Sequence, residues 1–179
     1  DILHKSEDEL KCLKEAGLDM VYMGIESGDP QVLKDVKKGV TREQMIEAGH
    51  KLKSCGILCS ATLISGLGGR QRLREHAVAS ATLISAIVGF LTLMMDREAP
   101  IYSRIVSGEL ELLNPEDVVE EMKLFLQNVD SDGTVFRSNH ASNYVILKGT
   151  LNEDIPSMLD YLDQVEQQGK YREERWRRF

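Results

Sequence analysis

Glu26 is the residue whose setting points most directly to chemistry. It closes an apolar run, Met20 to Ile25, and stands between Gly24 and Gly28 in VYMGIESGDP. Glycines on both sides leave room for a ligand to approach the backbone. A carboxylate there can accept hydrogen bonds from the vicinal hydroxyls of a ribose, as the acidic residue of dinucleotide sites does. The same carboxylate could instead cap the next turn together with Asp29, and spacing leaves both readings open. Ser27 shares this glycine-bounded turn. Lys38 could face an anionic group of a ligand, or act as a surface lysine complementing a helix dipole.

Other polar groups are candidates of different kinds. In Gly66-Leu67-Gly68-Gly69, exposed amides ahead of a helix could cradle an anion. Gln71 takes the place of the third glycine of G-x-G-x-x-G, so the string reads first as a tight strand-to-helix turn. Arg137, Asn139, His140 and Asn143, in FRSNHASN, could contact a substrate or form a turn whose side chains satisfy their own backbone. Cys12, Cys55 and Cys59 contain no CxxC pair and read as ordinary thiols, since a zinc or iron-sulfur site needs three or four converging ligands. His4, His50 and His76 lie in helical or terminal contexts and read as structural.

These residues are positioned by alternating elements. Ser6 and Glu9 make a capping box for a helix that Gly17 stops. A strand follows over Met20 to Ile25, and Asp29-Pro30 opens a short helix ended by Gly39. Thr41 with Gln44 opens another helix, closed at Gly56. Ile57 to Ile64 is a second strand, Arg70 to Ile87 a long helix, and Gly89 to Met95 a third strand. The alternation implies an α/β fold with a parallel sheet and right-handed crossovers, which puts ligands at the carboxyl ends of the strands. The hexapeptide SATLIS occurs at Ser60 to Ser65 and again at Ser80 to Ser85. The first copy runs into the glycine turn and reads as a strand. The second continues a helical spacing and reads as a helix, because context overrides propensity in short segments.

Within the strands, period-2 alternation places Met20, Tyr22, Gly24 and Glu26 on one face and Leu58, Ser60, Thr62 and Ile64 on another. A parallel strand buried on both sides is almost wholly apolar, so these mixed faces are expected to line a cavity. The junction Val88-Gly89 is too short for an ordinary helix-to-strand loop, which points to residues missing between Ile87 and Gly89. Beyond Leu113 the rhythm changes: a helix from Asn114-Pro115 to about Asn128, short strands at TVFRS and YVILKG, and a helix from about Asn152 to Gln168. Residues 1–113 and 114–179 are therefore read as a main unit and an extension packed on it.

The formal charge of -7 over 179 residues argues against general nucleic-acid or membrane-surface binding. The basic patch KYREERWRRF is expected to be a solvated terminal helix. No apolar run has the roughly 20 residues a bilayer span needs, and an odd number of cysteines suits a reducing, cytoplasmic setting. The chain opens on Asp1 without methionine or a signal-peptide pattern, as a fragment would.

VYMGIESGDPQVLKDVKKG, SATLISGLGG and GFLTLMMDREAPIY, taken in order, resemble the fourth, fifth and sixth strand segments of radical S-adenosylmethionine enzymes. The forms are similar to those of oxygen-independent coproporphyrinogen oxidase-like proteins, the elongator catalytic subunit and the tRNA methylthiotransferases. The resemblance covers about Glu9 to Tyr102, and GLGGRQRLREHA and FRSNHASN are similar to an uncharacterised iron-sulfur oxidoreductase subgroup. It implies the carboxyl half of an open six-stranded barrel in which Glu26 holds the cofactor's ribose hydroxyls. Ser27, Gly66 and Gly68 would border the cofactor, with Thr62 a polar strand residue beside it and Leu93 on the strand that meets adenine. Lys38 stands where the family often has an arginine facing the methionine carboxylate, and a lysine lacks the bidentate fork.

The three-cysteine motif C-x3-C-x2-C, which binds the [4Fe-4S] cluster, occurs nowhere in this sequence. The resemblance therefore implies that the full-length protein cleaves S-adenosylmethionine reductively to a 5′-deoxyadenosyl radical that abstracts hydrogen from a substrate. Its electrons would come from a donor such as flavodoxin or ferredoxin, and this piece would be inactive alone. A non-catalytic half-barrel that binds a nucleotide or self-associates is the alternative.

Overall fold

The computed structural model describes residues 1–84, the backbone of 89–92, and residues 101–177. Strands β1 (Met20–Glu26), β2 (Leu58–Ser65) and β3 (Gly89–Thr92) form one parallel sheet in the order β1-β2-β3. Helices α1 (Glu7–Glu15), α2 (Pro30–Asp35), α3 (Arg42–Ser54) and α4 (Leu73–Leu83) provide the crossovers. This is a partial parallel α/β barrel. The first SATLIS is the greater part of β2, and the second begins inside α4.

The helix starts follow their caps. Ser6 and Thr41 each form a full capping box, with Glu9 and Gln44, and Asp29 accepts from the amides of Gln31 and Val32. Two helices are shorter than their spacing implies. Residues Arg70–Arg72 form a 3-10 turn before α4 begins, because Arg72 is drawn onto Asp29 and Arg70 onto Asp117. Helix α2 stops at Asp35, and Lys37 adopts a positive φ of 54°, so Lys38 lies in the connection beyond the helix. The junction at Val88-Gly89 and Leu93 fall outside the described residues.

A short helix α5 (Tyr102–Val106) precedes α6 (Pro115–Asn128), the antiparallel hairpin β4 (Val135–Ser138) and β5 (Leu147–Thr150), and α7 (Ile155–Gln168). Helix α6 lies against α4. One apolar core joins Ile25 and Leu63 of the sheet to Val119, Met122, Phe125, Phe136 and Leu162, so it crosses position 113 without a break. A smaller cluster of Leu10, Leu52, Cys55, Ile57 and Cys59 fixes α1 and α3 under the sheet.

Residues 170–177 of the basic C-terminus do not form the expected α-helix. Gly169 ends α7 in the left-handed conformation, and the tail runs on extended except for a 3-10 turn at Glu174–Trp176. Two of its basic groups, Arg172 and Arg177, dock it on the 140–142 turn. Arg177 is buried, its guanidinium 3.7 Å from the Tyr144 ring centre and its Nε donating to the Ser142 carbonyl. Among the described residues no helix is long and apolar enough to cross a membrane.

Candidate functional site

The two faces of the sheet differ sharply. Ile25, Cys59, Ala61 and Leu63 point into the core. On the other side Tyr22 is 80% exposed, Leu58 61% and Met20 43%, with Ser60, Thr62 and Ile64 partly covered between them. An open face on a parallel sheet is unusual. It is the face that would line a barrel's interior, and it carries the polar strand residues.

Glu26 ends β1 with an irregularity. Gly24 pairs with Thr62 but Glu26 with Leu63, so Ile25 is the extra residue of a bulge. Glu26 itself has φ +64°, a left-handed conformation that costs a non-glycine residue about 1–3 kcal/mol and clusters at functional sites. The bulge re-aims the side chain. The carboxylate lies back over Gly24: a Cβ added there would come within 2.4 Å of Glu26 Oε1 and 3.3 Å of Lys38 Nζ. Lys38 Nζ donates to Glu26 Oε1 at 3.1 Å, and both side chains keep about a quarter of their surface exposed. Glu26, Lys38 and Thr62, with Gly24 as the clearance between them, therefore meet on the open face.

Ser27 does not join them. It is fully buried on the core side, its Oγ 2.8 Å from His76 Nδ1 and accepting from the Asp29 amide. Four amides in and just after the glycine turn are engaged within the chain. The Gly66 amide donates to Glu121 Oε2, the amides of Leu67 and Gly69 donate within the turn, and Arg70 N–H is taken by the Glu111 carbonyl. Gly68 packs closely, since a Cβ there would meet His76 Cβ at 3.0 Å. Within FRSNHASN, Asn143 is buried while Arg137, Asn139 and His140 are exposed. His140 Nδ1 bonds the Ser142 hydroxyl and amide, and Arg172 bonds the carbonyls of His140 and Ala141. That segment is a turn clamped by the tail, and β4 at its start lies against β3.

A buried polar group behind the sheet was not anticipated from the sequence as a unit. Glu121 of α6 accepts from Ser65 Oγ and from the Gly66 amide, and its Oε1 lies 3.8 Å from His76 Nε2. Burial holds its carboxyl above the usual carboxylate range, against the opposing pull of His76, Ser65 and the Gly66 amide. The signal was present in the helical spacing: Glu121 stands among Val118, Met122 and Phe125 on the apolar stripe of α6, where an acid is out of place. The cysteines stay chemically quiet. Cys12 is exposed, Cys55 and Cys59 are buried, and burial pushes the Cys59 thiol up to about 11. Among the described residues no three His, Cys, Asp or Glu side chains converge as a metal site.

Fold and site together define part of a parallel α/β barrel with a carboxylate and a lysine poised on its inner face. The model of the Radical SAM superfamily matches residues 1–78, the segment that holds β1, Lys38, β2 and the glycine turn. That segment is what resembles the radical SAM superfamily. Its curated relatives include a protein of Methanocaldococcus jannaschii provisionally named a methylthiotransferase, 38% identical over 58 residues, or 32% of this chain. Another is an uncharacterised methyltransferase of Pyrococcus horikoshii, 36% identical over 72 residues, or 40% of this chain. Among solved structures, the archaeal Elp3 of Methanocaldococcus infernus with an N-terminal deletion superposes over 92% of this chain with a TM-score of 0.59 at 20% identity. That likeness concerns the fold. The chain spans 13% and 16% of the two relatives and 40% of the Elp3 chain.

Proposed function

We propose that this chain supplies the sugar- and carboxylate-binding side of a radical SAM active site, with Glu26 accepting from the ribose hydroxyls of S-adenosylmethionine and Lys38 facing its methionine carboxylate. The observation that carries this reading is the bulge at Ile25. It places Glu26 at a strained φ of +64°, with its carboxylate laid over a glycine on the exposed face of β1 and β2. The residues fit the nucleoside: an acceptor with two oxygens, a neighbouring cation and no side chain at Gly24 to fill the space. When bound, S-adenosylmethionine supplies radical chemistry; the residues of this chain bind it, orient it and separate it from the core. Thr62 lies beside Gly24 in register and would form the floor, while Ser27, Gly66 and Gly68 support from behind. Leu93 keeps its role at adenine only as an expectation.

The cysteines do not fit a [4Fe-4S] cluster, since two of the three are buried and Cys12 is not near them as a third ligand. In this reading the cluster is held by residues outside this chain, and hydrogen abstraction, the substrate and a flavodoxin- or ferredoxin-like donor belong to the whole protein. The test is calorimetric titration of the purified chain with S-adenosylhomocysteine. Saturable binding that Glu26→Gln weakens at least tenfold supports the assignment. Binding that E26Q leaves unchanged, or no binding at millimolar ligand, contradicts it.

One observation favours a second reading. The exposure of Met20, Tyr22 and Leu58 on a parallel sheet leaves an apolar face that a second copy could cover. Sedimentation velocity over a hundredfold concentration range would show a dimer in that case and a monomer in the other.

A further inference from the structure

The turn that follows Glu26 is held by a face of α4. Positions 76, 79 and 80 fall on one side of that helix. The Gly28 amide donates to Ser80 Oγ at 2.9 Å, and Gly28 packs so closely on the Ala79 carbonyl that a Cβ would reach 2.2 Å. His76 Nδ1 meets Ser27 Oγ at 2.8 Å, and Ser27 Oγ accepts the Asp29 amide. The other nitrogen of His76 points at Glu121 Oε1, 3.8 Å away, while Glu121 Oε2 holds Ser65 and the Gly66 amide. One side chain of α6 thus touches the end of β2 directly and the end of β1 through a single histidine. Among the described residues Glu121 Oε1 has no hydrogen-bond partner. An acid 1% exposed with an unmade bond costs stability, and such a cost persists where activity requires it.

We propose that Glu121 is a positioning residue that acts through His76 and Ser27 to hold Glu26 in its strained, ligand-facing conformation, making the segment after 113 part of the site it does not touch. Its ligand-binding consequence rests on the assignment of Glu26 made above. The bracket has its own consequence, independent of any ligand. Cutting it at Glu121 frees Ser27–Asp29, the turn that fixes the backbone after Glu26.

The test compares Glu121→Ala with Glu121→Gln in the full chain, by hydrogen exchange and by S-adenosylhomocysteine titration. Gln can still accept from Ser65 and Gly66 with its oxygen and donate to His76 with its amide. E121A is expected to speed exchange at Ser27, Gly28 and Asp29 at least tenfold relative to Val119 and Phe125, and to weaken S-adenosylhomocysteine tenfold; E121Q is expected to restore both to within threefold. Unchanged exchange at 27–29 in folded E121A overturns the proposal, as does acceleration shared equally by the whole core with affinity tracking the folded fraction. If wild type binds no ligand, the assignment of Glu26 fails while the exchange comparison still decides the bracket. Should E121A not fold, Ser27→Ala cuts the same path at its far end; faster exchange at Gly28 supports the bracket, and exchange equal to wild type refutes it.

Discussion

Replacing Gly24 by alanine should separate binding from folding. The new Cβ would fall 2.4 Å from Glu26 Oε1 and 3.3 Å from Lys38 Nζ, so something must move. What moves is the far end of two flexible side chains, and the backbone of Gly24 is not in the positive-φ region. The strand therefore tolerates alanine, and lost freedom in the unfolded chain stabilises by about 0.4–1 kcal/mol. Displaced from the sugar, the Glu26 carboxylate loses a charge-assisted hydrogen bond of about 1.5–3 kcal/mol. At about 1.4 kcal/mol per tenfold, the dissociation constant for S-adenosylhomocysteine rises on the order of 10- to 150-fold. Gly28→Ala is the matched contrast: its Cβ would meet the Ala79 carbonyl at 2.2 Å and the Ser80 Cα at 2.6 Å, backbone that no rotamer relieves, and it should unfold or strongly destabilise the chain. Urea denaturation and titration calorimetry on both variants decide the matter. If G24A destabilises by more than about 2 kcal/mol, or binds S-adenosylhomocysteine like wild type, the placement of the carboxylate over Gly24 has no functional meaning.

Lys38→Gln should act with opposite signs on two ligands that differ only in the amino-acid arm. S-adenosylhomocysteine should bind about tenfold more weakly, having lost a charged contact, whereas methylthioadenosine should bind equally or up to about fivefold more tightly because Glu26 is freed of a pair worth at most about 1 kcal/mol; a loss shared by both ligands would refute the role. Glu121→Gln should change how stability depends on pH. A carboxyl whose folded pKa is raised binds more protons in the folded chain, so its contribution favours folding at low pH and is lost as pH climbs from the unfolded glutamate value through the folded one. Stability of wild type relative to E121Q should fall over that window by as much as about 1.4 kcal/mol per pH unit, and parallel curves in a denaturation series would contradict it. Thiol titration should find Cys12 reactive in the native chain and Cys59, held near 11 by burial, reactive only after unfolding; rapid native modification of Cys59 would show that the lower face of the sheet opens.

The strand and helix order was legible because four of the helix starts are written locally. Ser6, Asp29, Thr41 and Asn114 all cap where their residue types imply. The open sheet face was legible from Gly24, Glu26, Ser60 and Thr62 sharing a period of two. What local pattern could not reveal is decided by tertiary pairing. The terminal residues read as a helix from their amphipathic spacing, but a buried Arg177 on Tyr144 holds the tail extended. Ser27 neighbours Glu26 in the chain and faces the opposite side, as alternation implies, but only the folded chain shows that His76 and the Asp29 amide take its hydroxyl. The amides of the glycine turn looked available, and only the position of α6 shows that Glu121 occupies the one at Gly66. His76 read as structural, and it is buried as that reading implies; its link between two strand ends needed three elements to be assembled at once.

The most direct test is a structure of this chain with S-adenosylhomocysteine bound, solved by crystallography or by distance-restrained NMR. Both ribose hydroxyls should lie within hydrogen-bond distance of the Glu26 carboxylate, with Lys38 turned from Glu26 toward the ligand's carboxylate. A nucleoside bound elsewhere, with the Glu26 to Lys38 pair intact at 3.1 Å, would contradict the account.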